Sequence, residues 1–173
     1  LAYTQDQYHV SLTLSQQHDD WTSFQYYATT AAGTVDEDTN ATAYAARAYW
    51  RPQESGTATP EVSVGYDVIT FDGQSTAGNP KEASSYFVGL GWPDMFSDGD
   101  YIGVGFGQPL KATEVVSGTN ADDSLSPFLW EVTYSFKVND SVTVIPAVFG
   151  GTDIQDATDE DIFGAAITTK FKF

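Results

Sequence analysis

The sequence predicts an all-β chain, folded as a transmembrane, antiparallel, up-and-down β-barrel. Three observations predict it. Segment after segment alternates apolar and polar residues with the period of two of a pleated strand, and no stretch sustains a helical period. The apolar faces of these segments carry no charge, while most acidic residues lie in the connections. Aromatic residues gather near the ends of the apolar faces, as they do at the two interfaces of a membrane.

Nine segments carry the pattern. Tyr8–Ser15 sets Tyr8, Val10, Leu12 and Leu14 against His9, Ser11, Thr13 and Ser15. The turn Gln16–Asp20 leads to Trp21–Thr29, which is less regular, with Phe24 and Tyr26 on its apolar side. Thr42–Arg51 sets Tyr44, Ala46, Ala48 and Trp50 against Ala45, Arg47, Tyr49 and Arg51. Glu61–Thr70 sets Val62, Val64, Tyr66 and Val68 against Glu61, Ser63, Gly65 and Asp67. Ser85–Trp92 alternates Tyr86, Val88, Leu90 and Trp92 with Phe87, Gly89 and Gly91. In Tyr101–Gln108, Ile102, Val104 and Phe106 alternate with Gly103, Gly105 and Gly107.

Phe128–Val138 is the clearest segment, with Phe128, Trp130, Val132, Tyr134, Phe136 and Val138 in one phase. The short turn Asn139–Asp140 joins it to Ser141–Phe149 as a hairpin. The last strand, in "DIFGAAITTKFKF", alternates from Phe163 to Phe173. Short turns (Gln16–Asp20, Pro93–Asp100, Asn139–Asp140) alternate with longer loops (Ala31–Ala41, Asp72–Ser84, Pro109–Ser126, Gly150–Asp161), and Pro52–Pro60 is intermediate. Unequal rims of this kind suit an up-and-down barrel.

Composition narrows the function classes. Twenty-four acidic residues stand against 7 basic ones, a formal net charge of −17, so nucleic acid is not an expected partner. Cysteine is absent, which removes disulfides, thiolate metal sites and cysteine nucleophiles. No apolar run reaches the roughly 18 residues of a membrane helix. The chain begins at Leu1 rather than Met, which points to a mature or trimmed product. A soluble extracellular β-sandwich binding carbohydrate through aromatics is the competing architecture. It would bury its apolar faces against each other and dress its outer faces in charge, whereas the polar faces here are mostly Ser, Thr and Gly.

The last third, "PFLWEVTYSFKVNDSVTVIPAVFGG" followed by "DIFGAAITTKFKF", resembles the carboxy-terminal end of cyanobacterial porins of the OprB type, which include the iron uptake porins. The resemblance rests on Phe136-Lys137-Val138-Asn139-Asp140, on Val144-Ile145-Pro146 and on Thr168-Thr169-Lys170-Phe171-Lys172-Phe173. It departs at Ile145, where the family pattern has a polar residue before the proline. The resemblance implies a trimeric outer-membrane diffusion porin of about sixteen strands per subunit. It also implies a terminal aromatic read by the barrel-assembly machinery and a peptidoglycan-gripping domain before the barrel, no part of which is recognisable in residues 1–173. Nine strands in one domain of this length scale to roughly 300 residues for sixteen, so the chain reads as the carboxy-terminal half of a larger barrel. A small closed barrel of eight strands, without a pore, is the alternative.

On that reading the expected partners are outer-membrane lipid, two further copies and the amino-terminal part of the same barrel. Basic residues on the polar faces, Arg47, Arg51, Lys137, Lys170 and Lys172, are candidate pore-lining groups, with Asp67 and Glu131 as acidic counterparts. Arg47 pairing with Asp67, and Lys137 with Glu131, would instead satisfy charge within the wall. The candidate lipid-facing girdle is Tyr44, Trp50, Tyr86, Trp92, Phe128, Trp130, Phe136, Phe171 and Phe173. The acidic loop with Asp153, Asp156, Asp159 and Asp161 lacks the glycine and distal glutamate of an EF-hand, so a solvated rim is the reading favoured over calcium. No cofactor is expected. His9 and His18 have no paired nucleophile and no catalytic motif is present, so an enzyme is not expected either.

Overall fold

Backbone hydrogen bonding turns the period-two pattern into one sheet. The computed structural model describes residues 1–18, 39–117, 127–153 and 161–173. Its strands are β1 (Ala2–Thr4), β2 (Tyr8–Gln17), β3 (Asn40–Trp50), β4 (Glu61–Asp72), β5 (Pro80–Pro93), β6 (Tyr101–Val115), β7 (Phe128–Asn139), β8 (Val142–Thr152) and β9 (Ile162–Phe171). All nine are antiparallel neighbours in chain order. The short connections, residues 5–7, 94–100 and 140–141, lie at one end, with 51–60. The segments 18–39, 73–79, 116–127 and 153–161 join strands at the other.

The register aligns residues of like character. Tyr8, Trp50, Val62, Leu90, Val104, Val132, Val148 and Ala165 form one row across β2–β9. Val10, Ala48, Val64, Val88, Phe106, Trp130, Gly150 and Phe163 form the next. Both lie on the apolar face. Leu12 is 56% exposed, Tyr66 52% and Ile167 75%, so nothing in the described chain covers this face. A sandwich needs a second sheet against the apolar face, and the described strands form only one.

The strands are staggered. The row starting at Tyr8, the first residue of β2, meets β9 at Ala165, well short of that strand's end at Phe171. Six residues at about 3.3 Å each, over seven spacings of about 4.8 Å, correspond to a tilt of about 30°.

Three expectations change. Trp21–Thr29 lies outside the described residues, and β2 pairs directly with β3 from Tyr8↔Trp50 to Gln17↔Ala41, so no strand stands between them. Nine strands are reached instead through β1, a three-residue strand on the edge of β2. Strands β5 and β6 also run further than their alternation suggests, because bulges near Ser84/Tyr86 and Glu82/Ala83 shift the phase while pairing continues to Pro80↔Val115.

The buried apolar residues lie on the opposite, polar face, at the long-loop end. Ala41, Ile69, Phe71 and Ala83 form a small cluster there, with Ala43 and Leu110 against it. The register explains the grouping, since Ala41↔Phe71, Ala43↔Ile69 and Ile69↔Ala83 are cross-strand partners. Gln74 donates to the Thr39 hydroxyl at 2.6 Å, tying the 73–79 connection over this end.

Candidate functional site

One residue away from each apolar row runs a polar-face row. His9, Tyr49, Ser63, Gly89, Gly105, Glu131, Phe149 and Gly164 align across β2–β9. Beside them run Ser11, Arg47, Gly65, Phe87, Gly107, Leu129, Gly151 and Ile162. Large side chains alternate with glycine along the second row, which lets them lie flat on the sheet.

Arg47 shows what this permits. One guanidinium nitrogen, Nη2, donates to both carboxylate oxygens of Asp67 at 2.7 Å, a charge-assisted pair. It also donates to the carbonyls of Ala46 (2.9 Å) and Tyr66 (3.3 Å), while Ser85 donates to Asp67 at 3.0 Å. The guanidinium carbon sits 5.4 Å from the Phe87 ring centroid. Gly65, directly opposite Arg47, lies under both side chains, and a Cβ there would collide with the Phe87 ring. Arg47 is therefore a neutralised cation held against the wall.

The other basic candidates differ. Arg51 donates to the Tyr49 hydroxyl at 3.1 Å and stacks 5.0 Å over that ring. Lys137 reaches over Gly99 in the 94–100 turn, and Lys137, Thr143 and Lys170 share a row on the polar face. Among the described residues Arg51, Lys137, Lys170 and Lys172 have no ion-pair partner. All four lie at the short-turn end. Glu131 likewise has no ion pair, and its alternative pairing with Lys137 is not made. Six residues along one strand separate them by about 20 Å, three pleats apart on the same face. An unforeseen pair, Lys81–Glu114 at 3.5 Å, lies at the long-loop end.

The girdle residues all lie on the apolar face. Tyr44, Trp50, Tyr86, Phe171 and Phe173 are exposed; Trp92, Phe128, Trp130 and Phe136 are half-buried against neighbours. Trp130 and Phe163 meet at 6.1 Å, Phe106 and Phe128 at 6.2 Å, and Trp92 donates to the Ala58 carbonyl at 3.0 Å. Of the acidic-loop candidates, Asp156 and Asp159 lie outside the described residues, Asp153 has φ 53°, and Asp161 is exposed. The described residues contain no group of three or more His, Cys, Asp or Glu able to hold a metal.

The best-satisfied polar group is one the sequence does not single out. Asp100, 3% exposed, closes the turn before β6. Its carboxylate accepts from the amides of Met95 (2.8 Å), Phe96 (3.1 Å) and Ser97 (3.0 Å), and from the Tyr134 hydroxyl (2.9 Å). Burial pushes its pKa up, but the hydrogen bonds from Tyr134, Phe96, Ser97 and Met95 outweigh it and hold the carboxyl below its ordinary value. Asp94, at φ 57°, is also held low, first by the Gly99 amide and then by the Ser55 hydroxyl. The knot braces a turn and has no free acceptor facing a ligand. Its signal in "PDMFSDGD" is a surplus of Asp, without indication of which one is buried.

No protein-family model, curated protein or solved structure matches the chain. The likeness to OprB-type porins therefore rests on the residues of the last third alone.

Proposed function

We propose that the chain forms the wall of an outer-membrane porin, a water-filled barrel through which ions and small hydrophilic solutes diffuse passively. One observation carries the reading. Eight adjacent strands present two nearly continuous apolar rows to their surroundings, and among the described residues no second layer covers them. In water each exposed Å² of such a face costs about 25 cal/mol, and a bilayer reverses the sign.

The boundary of the apolar face supports the same reading. On β2–β4 the row Leu14, Tyr44, Val68 is followed by Gln16, Thr42, Thr70, and that second row continues into Glu82 and Glu114. On β7 the apolar phase runs from Phe128 to Val138, about 35 Å along the strand, or about 30 Å at the tilt of about 30°, close to the thickness of a bilayer's hydrocarbon core.

Within hydrocarbon the outer edges of β1 and β9, and the part of β2 beyond β1, must be paired, since each unsatisfied backbone group there costs several kcal/mol. In the reading adopted here further strands pair them, in a barrel of about sixteen, with this chain as its carboxy-terminal half and three subunits assembling in the outer membrane of a Gram-negative-type cell. Passage needs no chemical step. It is biased by Arg51, Lys137, Lys170 and Lys172 at the short-turn mouth and by the acidic long-loop mouth. Planar-bilayer recording tests this: stepwise conductance in simple salts is expected. Protein that is monodisperse in detergent-free buffer and gives no steps contradicts the reading.

A further inference from the structure

The polar face also holds a hollow for which passive diffusion has no use. We propose that it is a binding site for amphipathic organic cations, molecules that carry a quaternary or primary ammonium on a small apolar body. The hollow measures about 500 Å³ and lies over β5–β9, a volume ordinary for small-molecule sites. Phe87, Leu129, Phe149 and Ile162 line it, apolar side chains on a face otherwise made mostly of Ser, Thr, Gly and charge. Its floor includes the cross-strand pair Gly89 and Gly105, and a Cβ added at Gly105 would meet nothing within 4 Å.

The edge of the hollow supplies the charge. Glu131 stands opposite Gly105, is exposed, and makes no hydrogen bond or ion pair among the described residues. A second hollow of about 210 Å³ shares Gly89, Gly105 and Glu131 and adds Glu61, Ser63 and Thr133. An apolar body thus fits the first hollow while its cationic head enters the second beside Glu131, with Glu61, Ser63 and Thr133 lining the rest of it.

The other charges facing the site come from β3, β4 and the connection between them. Arg47 is cancelled by Asp67 and rests on the Phe87 ring. Arg51 borders a third hollow with Glu61, but its guanidinium is engaged with Tyr49. Glu61 and Glu131 against Arg51 leave the site net negative, which favours a cation. Phe149 adds the attraction of an aromatic ring for an ammonium group. An anion of the same shape would meet two carboxylates.

The proposal takes the polar face as a channel wall, but binding does not require passage, so the two readings can fail separately. The test is calorimetric titration of the protein in nonionic detergent with benzyltrimethylammonium. Tetramethylammonium, which lacks the apolar body, and benzenesulfonate, with reversed charge, serve as comparisons. Saturable binding of benzyltrimethylammonium alone is expected. Glu131→Gln should weaken it about tenfold, as loss of one charged partner does. Gly105→Val, whose side chain enters open space, should abolish it with far-UV circular dichroism unchanged. Absence of binding, equal binding of benzenesulfonate, or affinity untouched by both variants overturns the site. Conductance steps without cation binding sink the site and leave the pore; binding without steps does the reverse.

Discussion

Val64 and Ser63 are covalent neighbours on β4, yet they belong to different environments. Val64 lies in an apolar row that crosses eight strands with no charge in it, and Ser63 lies in a row with His9 and Glu131. The backbone, the strand and the depth are the same; only the side of the pleat differs. On the porin reading proposed above, a period of two writes two solvents into one segment. The apolar side needs only size and greasiness, whereas the polar side is built from specific pairs, such as Arg47 with Asp67 across Gly65.

The largest effect should come from exchanging the two environments. Val64→Arg should cost about 2–4 kcal/mol of folding into lipid vesicles, measured by urea titration, while Ser63→Arg should cost about 0–1 kcal/mol. Equal costs would erase the distinction between the faces.

Next comes the knot at the short-turn end. Asp100→Asn removes a buried charged acceptor from three amides and a hydroxyl and should cost about 2–3 kcal/mol, whereas exposed Asp98→Asn should cost almost nothing. The pH dependence has a definite sign. Asp100 is held below its ordinary pKa, so its stabilisation is complete above the unfolded-state value near 4 and is lost as pH falls through the lower folded value. Urea midpoints measured from pH 6 to pH 2 should fall for the parent protein and fall less for Asp100→Asn.

A smaller contrast sits within one strand. A Cβ at Gly107 would lie 2.7 Å from the Phe87 Cα, in backbone that cannot step aside, whereas Gly105 faces open space. Gly107→Ala should destabilise by about 1–3 kcal/mol and Gly105→Ala by little. Smallest is Arg47→Gln. The ion pair is partly exposed, at 39% and 30% for the two side chains, and should contribute at most about 1 kcal/mol. Its larger consequence should be a change in ion selectivity in bilayers, because Asp67 would keep its Ser85 hydrogen bond but lose its cation.

Strand existence was legible wherever alternation ran uninterrupted. Phe128–Val138 agrees with β7 to within one residue, and the Arg47–Asp67 pair was visible as opposite charges on the polar faces of adjacent segments. Legibility failed where phase or partner was not local. The upper parts of β5 and β6 were hidden because a bulge breaks alternation without ending the pairing. The direct pairing of β2 with β3 could not be read either, since a periodic segment does not name its neighbour. Glu131 and Lys137 share a face and suggested a pair that distance along the strand forbids. The apolar hollow depended on Phe87, Leu129, Phe149 and Ile162 arriving from four strands, a grouping that alternation within single segments does not reveal.

The absence of cysteine makes the central claim directly testable. Single-cysteine variants at successive β4 positions, Glu61, Val62, Ser63 and Val64, can be reconstituted in lipid vesicles, spin-labelled, and measured for collision with oxygen, which concentrates in lipid, against a water-soluble nickel chelate. Labels at Val62 and Val64 should be oxygen-accessible and nickel-protected, and those at Glu61 and Ser63 the reverse, with a period of two. Equal nickel accessibility on both faces would contradict the account.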